Sequence, residues 1–128
     1  MVHSFSFRTE DWLRFVQIDP FPRLWAKLRL TDEDLRALEI DILASPSVSP
    51  VIPGYGGLRK LRFSTRDKKR GKSGSYRVFY VYFPEYGIVL LMAILARSDK
   101  ADLTQADKNA LAQVISEIKH LLDRGVIR

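Results

Sequence analysis

The spacing of apolar residues changes along this chain, and each spacing predicts an element. Residues 13–18 (LRFVQI) alternate apolar and polar side chains, which is typical of a strand. A short helix is expected next, with Pro22 at its first residue and an apolar stripe that ends at Leu28. A second helix is expected to begin at the cap residue Thr31, before an acidic first turn, and to end at the Ser-Pro pair at residues 45–46.

The second half of the chain predicts three more strands and a last helix. The Pro-, Ser- and Gly-rich residues 47–57 indicate a loop. Strands are expected at 58–63, 76–83 and 88–96, with a basic loop at 64–75, a turn at 84–87 and a helix that begins at the cap Thr104. Consecutive strands joined by loops pair antiparallel. The predicted class is therefore α+β, in the order β-α-α-β-β-β-α, with a mainly antiparallel four-stranded sheet packed by helices.

Size and composition are those of one ordinary globular domain, expected to span residues 1–128. No apolar run approaches the roughly 20 residues that a membrane span needs, and the N-terminus does not have the pattern of a secretory signal. The absence of cysteine excludes disulfides, a thiolate nucleophile and a cysteine metal site. A cytoplasmic protein without a membrane partner is expected.

Positive charge is concentrated in one segment. Between Arg59 and Arg77, nine basic residues are opposed by Asp67 alone, which gives +8 in a chain whose net charge is +6. The remaining residues therefore sum to −2. Such a segment favours a polyanionic partner, nucleic acid first, although a solvated basic hairpin remains the alternative.

Within this segment, the strand at 58–63 separates apolar from basic side chains. Alternation directs Leu61 and Phe63 to one face of the strand, where they anchor it. Lys60 and Arg62 then lie side by side on the other face. The pattern predicts a pair of cations on an open sheet surface.

Three short motifs follow one another through the middle of the chain: PGYGGLRKLRF at 53–63, GKSGSYRVFY at 71–80 and ARSDKADL at 96–103. In this order they resemble the RelE/HigB toxins of bacterial type II toxin–antitoxin systems, and among these the HigB-like branch. Each motif alone is weak, whereas the three together are specific. The similarity extends over residues 25–119.

The resemblance implies a compact α+β fold that enters the ribosomal A site and cuts translated mRNA. It also implies neutralisation by an antitoxin protein, commonly of the helix-turn-helix type, whose complex with the toxin binds operator DNA. Two alternatives from other classes stay open. One is a ParE-like toxin that acts by binding gyrase, and the other is a general nucleic-acid-binding module.

The implied chemistry is attack by a ribose 2′-hydroxyl on the adjacent phosphate, which needs orientation, proton transfer and charge neutralisation. The only histidines, His3 and His120, lie outside the motifs, and the resembling toxins use Lys, Arg and Tyr instead. Matching to the family assigns Lys60 as general base, favoured by like-charge repulsion, Arg62 as phosphate clamp, Arg77 as holder of the scissile phosphate and Arg97 at the rim.

Further RNA contacts are expected from the remaining cations and from one strand aromatic, for which core packing is the alternative. Two positions depart from RelE: Ser98 replaces a second arginine and Thr104 replaces a tyrosine. The donor of the leaving-group proton therefore stays open, and a weakly active or inactive variant is a further alternative. No cofactor is expected, since no His, Asp or Glu set has metal-ligand spacing. The predicted RNA-binding residues are Arg59, Arg66, Lys68, Lys69, Arg70, Lys72, Tyr80 and Lys100.

Overall fold

The computed structural model of this protein describes residues 13–67, 72–98 and 102–127. These residues form three helices and a four-stranded sheet, which confirms the predicted α+β class and element order. None of these helices has the length and apolar character needed to cross a membrane. In chain order the elements are β1 (Arg14–Gln17), α1 (Phe21–Lys27), α2 (Asp32–Ala44), β2 (Arg59–Asp67), β3 (Lys72–Phe83), β4 (Ile88–Ala96) and α3 (Gln105–Asp123).

The sheet is mixed, with the strand order β1-β4-β3-β2. β2, β3 and β4 pair antiparallel, whereas β1 runs parallel to β4 with Arg14 opposite Ile88. A parallel pair needs a long connection, and α1, α2 and the β2–β3 hairpin provide it. β4 is a central strand whose first seven residues are buried, as its apolar sequence predicted.

β2 and β3 are longer than the sequence pattern predicted. β2 continues to Asp67 and β3 begins at Lys72, so the expectation of a loop over 64–75 is wrong. The buried Thr65 lies opposite Gly74, and its hydroxyl oxygen accepts a hydrogen bond from the Gly74 N–H at 3.3 Å. Cross-strand hydrogen bonds thus hold Ser- and Gly-rich residues in a ladder, although their composition is typical of a loop.

The sheet has helices on both faces. On one face, α1 and α2 contribute Phe21, Trp25, Leu38 and Ile42 to a cluster with strand residues that include Tyr80. On the other face, α3 contributes Leu111, Ile115 and Leu122 to a second cluster, with strand residues that include Phe79 and Val81. The two clusters bury both sides of β4, and burial of this apolar surface is the main stabilising contribution.

The two predicted helix caps are present. The Thr31 hydroxyl accepts from the Asp34 N–H at 3.1 Å, and the Asp34 carboxylate accepts from the Thr31 N–H at 2.9 Å. Thr104 and Asp107 form the same reciprocal pair at the start of α3, at 3.0 and 3.1 Å. These boxes satisfy N–H groups that a helix leaves without partners. The second box fixes the start of α3 next to the candidate site.

Candidate active site

Three of the predicted catalytic cations project from one face of the β2–β3 hairpin. Arg62 and Arg77 are direct cross-strand partners, and Lys60 is opposite Phe79, two positions along the same face. Side chains at alternate strand positions share a face, so the predicted alternation of β2 places Lys60 beside Arg62. These cations lie on the same face of the sheet as α3, near the N-terminal end of that helix.

These cations line an open hollow of about 610 Å³, which we call the basic concavity. Arg97, at the end of β4, lines it as well; its backbone N–H donates to the Ser75 carbonyl at 2.9 Å and so extends the sheet by one residue. All four residues predicted to be catalytic therefore border one space. The full lining is Val48, Ser49, Pro50, Lys60, Leu61, Arg62, Arg77 and Arg97.

Among the described residues, the acidic Asp102 reaches this group of cations. Its Oδ2 atom lies 3.0 Å from Lys60 Nζ and 3.9 Å from Arg77 Nη1, while its Oδ1 atom accepts the Leu103 N–H at 2.8 Å. Burial raises the pKa of Asp102, but the hydrogen bonds from Lys60 and Leu103 and the two positive charges outweigh it. The net pKa lies below the ordinary value. Asp102 is thus ionised at neutral pH.

Asp102 was not predicted from the sequence. The residue belongs to the third motif (ARSDKADL), but 42 positions separate it from Lys60. The sequence offered one signal for it: Asp102 is an acidic residue in a motif that was matched to the family through Arg97.

Lys60 makes two contacts that the sequence did not predict, and its role as general base stays a prediction. Like-charge repulsion was expected to favour the neutral amine. Instead, the ammonium is paired with Asp102, and its Nζ lies 6.0 Å from the Phe79 ring centroid. Both contacts attract a positive charge. Lys60 is therefore suited to neutralising negative charge or donating a proton.

Arg59 has a different role from its neighbours. Its Nη1 atom donates to the carbonyl oxygens of Ser47 and Ser49 at 2.9 and 2.6 Å. These bonds tie β2 to the loop that supplies Val48 and Pro50 to the basic concavity. The guanidinium of Arg59 thus holds the wall of the site, and the expectation that it also contacts RNA stays a prediction.

Tyr80 is a core residue. Its side chain is fully buried in the cluster under α1 and α2, and its hydroxyl donates to the Pro46 carbonyl at 2.8 Å. A ring without an exposed face cannot stack on a base, so the predicted RNA contact is wrong and the packing alternative holds. This hydrogen bond also satisfies the buried phenol.

Of the remaining predicted RNA contacts, only two lie in described elements. Arg66 is in β2 opposite Ser73, and Lys72 is in β3 opposite Asp67. Lys68, Lys69, Arg70 and Lys100 lie outside the described residues.

The two departures from RelE lie next to the site. Ser98 is exposed one residue beyond Arg97. The Thr104 hydroxyl oxygen accepts the α3 cap bond, which gives this position a structural role. Among the residues that the structure describes, no group of three His, Asp or Glu side chains could hold a metal ion.

No protein-family model matches the chain. Among the solved structures that resemble it is the isolated Escherichia coli RelE toxin, with a TM-score of 0.45 and 17% sequence identity. The match covers 80% of this chain and 98% of that one. A likeness at this level assigns neither activity nor partner, and membership of the RelE/HigB family stays a prediction from the motifs.

Proposed function

We propose that this protein is a RelE/HigB-type toxin that cuts translated mRNA on the ribosome. The observation that supports this most is that Lys60, Arg62, Arg77 and Arg97, which were matched to the family's motifs, border one concavity. Cations spread over unrelated surfaces would bind a polyanion but would not converge on one phosphate. A shared concavity is the arrangement that phosphate chemistry requires.

The charge of the site suits the transition state of RNA cleavage. Counted over the described residues, four cations and the Asp102 carboxylate leave three positive charges in and beside the concavity. A phosphorane carries more negative charge than the phosphate from which it forms, so fixed cations stabilise it preferentially. In this mechanism Arg62 and Arg77 hold the non-bridging oxygens through planar guanidinium groups.

The Lys60 ammonium then has two roles. It neutralises the developing charge, and it is the proposed donor of the proton to the departing 5′-oxygen. The 2′-oxygen bonds to phosphorus and its proton passes to a water molecule, while the bond between phosphorus and the 5′-oxygen breaks and that oxygen takes a proton from Lys60, which solvent later restores. Rate enhancement comes mainly from orientation of the 2′-hydroxyl and from electrostatics rather than from a strong base. The products are a 2′,3′-cyclic phosphate on the upstream fragment and a 5′-hydroxyl on the downstream fragment.

The proposed partners follow from the same assignment. The ribosome presents the mRNA, and the basic hairpin supplies contacts to RNA backbone in the cytoplasm. An antitoxin, of the helix-turn-helix type in the family, is the proposed inhibitor. Operator DNA is bound only through the antitoxin complex.

The test is primer extension on cellular mRNA after brief induction, with and without a block of translation. We expect wild type to produce cuts inside translated codons that disappear when translation is blocked. A Lys60→Met, Arg77→Met double variant should lose the cuts by about 100-fold or more, since each site cation stabilises the transition state. Arg23→Met, Lys27→Met is the matched control, because it removes the same two charges from the exposed side of α1.

The outcomes separate the alternatives. DNA breakage without mRNA cleavage would favour the gyrase-binding toxin. Salt-sensitive duplex binding without ribosomes, and no cleavage, would favour a general binding module. A folded double variant that cuts at the wild-type rate would remove the site assignment.

A further inference from the structure

Asp102 is a charged group that the proposed mechanism leaves unused. It carries a negative charge in a site proposed to bind a negatively charged phosphate. Its side chain is 45% exposed, against 37% for Lys60 and 21% for Arg77. An acid at this position reduces the attraction of the site for RNA. Its presence beside these cations therefore needs a compensating role.

The backbone fixes the direction of the Asp102 carboxylate. The Leu103 N–H binds Oδ1, and the capping box at Thr104 anchors the chain immediately after it. The other oxygen of Asp102, Oδ2, points towards Lys60 and Arg77 on the sheet. The carboxylate thus joins the start of α3 to the two strands that carry the cations.

Lys60 and Arg77 are not cross-strand partners, since Lys60 is opposite Phe79 and Arg77 is opposite Arg62. Their charged ends nevertheless lie 3.0 and 3.9 Å from the same Oδ2 atom. Two flexible cationic side chains on different strands repel each other unless an anion lies between them. In the part of the chain that the structure describes, Asp102 is an anion in this position.

We propose that Asp102 is a positioning residue of this site, which holds the Lys60 ammonium and the Arg77 guanidinium together and aimed into the basic concavity. The inference rests on the proposed function. Asp102 does not touch the reacting atoms; it acts through the two cations.

Two opposite effects of one substitution make this testable. Asp102→Asn keeps the shape of the side chain but removes its charge. The loss of a negative charge should leave RNA binding as tight as in wild type or several-fold tighter. The loss of alignment should slow the chemical step by about tenfold or more. A merely structural residue would not weaken cleavage while preserving binding.

The kinetic experiment uses ribosomes programmed with an mRNA that wild type cuts. Single-turnover rates are measured on this mRNA, and dissociation constants on the same mRNA with a 2′-deoxy nucleotide at the cut site. Asp102→Glu should recover part of the rate because it restores the carboxylate. Glu117→Gln is the matched control: it removes one negative charge from an exposed position of α3 and should behave as wild type.

A second measurement does not depend on cleavage. The carboxyl carbon of Asp102 is titrated by NMR in the free protein, in wild type and in Lys60→Met. The Asp102 pKa should lie below its ordinary value in wild type and rise in Lys60→Met, because the hydrogen bond and the nearest positive charge are gone.

The results that would contradict the proposed function differ from those that would contradict the positioning role alone. A wild-type protein that does not cut ribosome-bound mRNA overturns the proposed function and the positioning role with it. An ordinary Asp102 titration, or an Asp102→Asn protein that cuts as fast as wild type, overturns the positioning role alone. Asp102→Asn that binds more tightly and also cuts faster would make Asp102 an internal competitor of the phosphate, which contradicts positioning.

Discussion

Two arginines of β2 differ in what their side chains do. Arg59 donates to two carbonyl groups of the preceding loop, whereas the exposed Arg62 lines the basic concavity. Charge density alone treats these residues as equivalent. In the structure, Arg59 holds the loop that lines the basic concavity, whereas Arg62 is exposed inside the concavity.

This difference predicts opposite effects of the same substitution. Arg59→Met should lower the free energy of unfolding by about 1–2 kcal/mol, because two hydrogen bonds from a charged donor are lost. Arg62→Met should change stability by no more than about 0.5 kcal/mol but slow mRNA cleavage by about tenfold or more. Urea denaturation and single-turnover cleavage measure the two quantities. Equal stability of the two variants would contradict the assignment.

Tyr80 shows where local sequence patterns stop being informative. Both sets of alternate side chains in the second half of β3 are apolar or aromatic, as the run VFYVYF shows. Period-two alternation then cannot say which ring is buried. Packing of α1 and α2 against this face decides it, and the Pro46 carbonyl that accepts the Tyr80 hydroxyl lies 34 positions away in the chain.

At the scale of elements, α3 links the fold to the site. Its Thr104 capping box is local in sequence and was therefore predictable. The effect of this box on the site could not be predicted from the sequence, because the box also fixes the backbone that presents Asp102 to β2 and β3. A helix start that stabilises the fold thus also orients the candidate site.

Thr104→Ala tests this link. Loss of the cap should lower the free energy of unfolding by about 1 kcal/mol. It should also slow cleavage, since the chain that carries Asp102 is no longer held. Thr104→Ser should keep both properties because the hydroxyl remains.

Thr31→Ala is the control from the other capping box, at the start of α2. It should lose a similar amount of stability and keep the wild-type cleavage rate. Equal slowing of cleavage in both alanine variants would mean that stability alone limits activity, which would contradict the link.

The cations of the site were predictable for the same local reason as the cap. Two-residue periodicity places Lys60 beside Arg62 without any knowledge of the fold. The pairing of Arg77 with Arg62, and the approach of Asp102, depend on hairpin register and on the docking of α3. The longer β2–β3 ladder was missed because Ser and Gly are typical of loops, although here they pair across strands.

At the scale of the whole molecule, the basic concavity lies where one face of the sheet is incompletely covered. α3 packs against the part of β3 that contains Phe79, Val81 and Phe83. Arg77, two residues before Phe79 on the same face, remains partly exposed. The fold therefore covers the apolar part of this face and leaves the cationic part open. The segment that carries +8 contributes three of the four cations at this opening.

The most direct test of the central claim is cleavage of mRNA by purified protein on purified, programmed ribosomes, with analysis of the fragment ends. We predict a 2′,3′-cyclic phosphate upstream, a 5′-hydroxyl downstream and no cut when the 2′-hydroxyl at the site is replaced by hydrogen. Lys60→Met, Arg77→Met should reduce the rate by about 100-fold or more. Cleavage of the 2′-deoxy mRNA at the wild-type rate, or no cleavage of the all-ribose mRNA by wild type, would contradict the account.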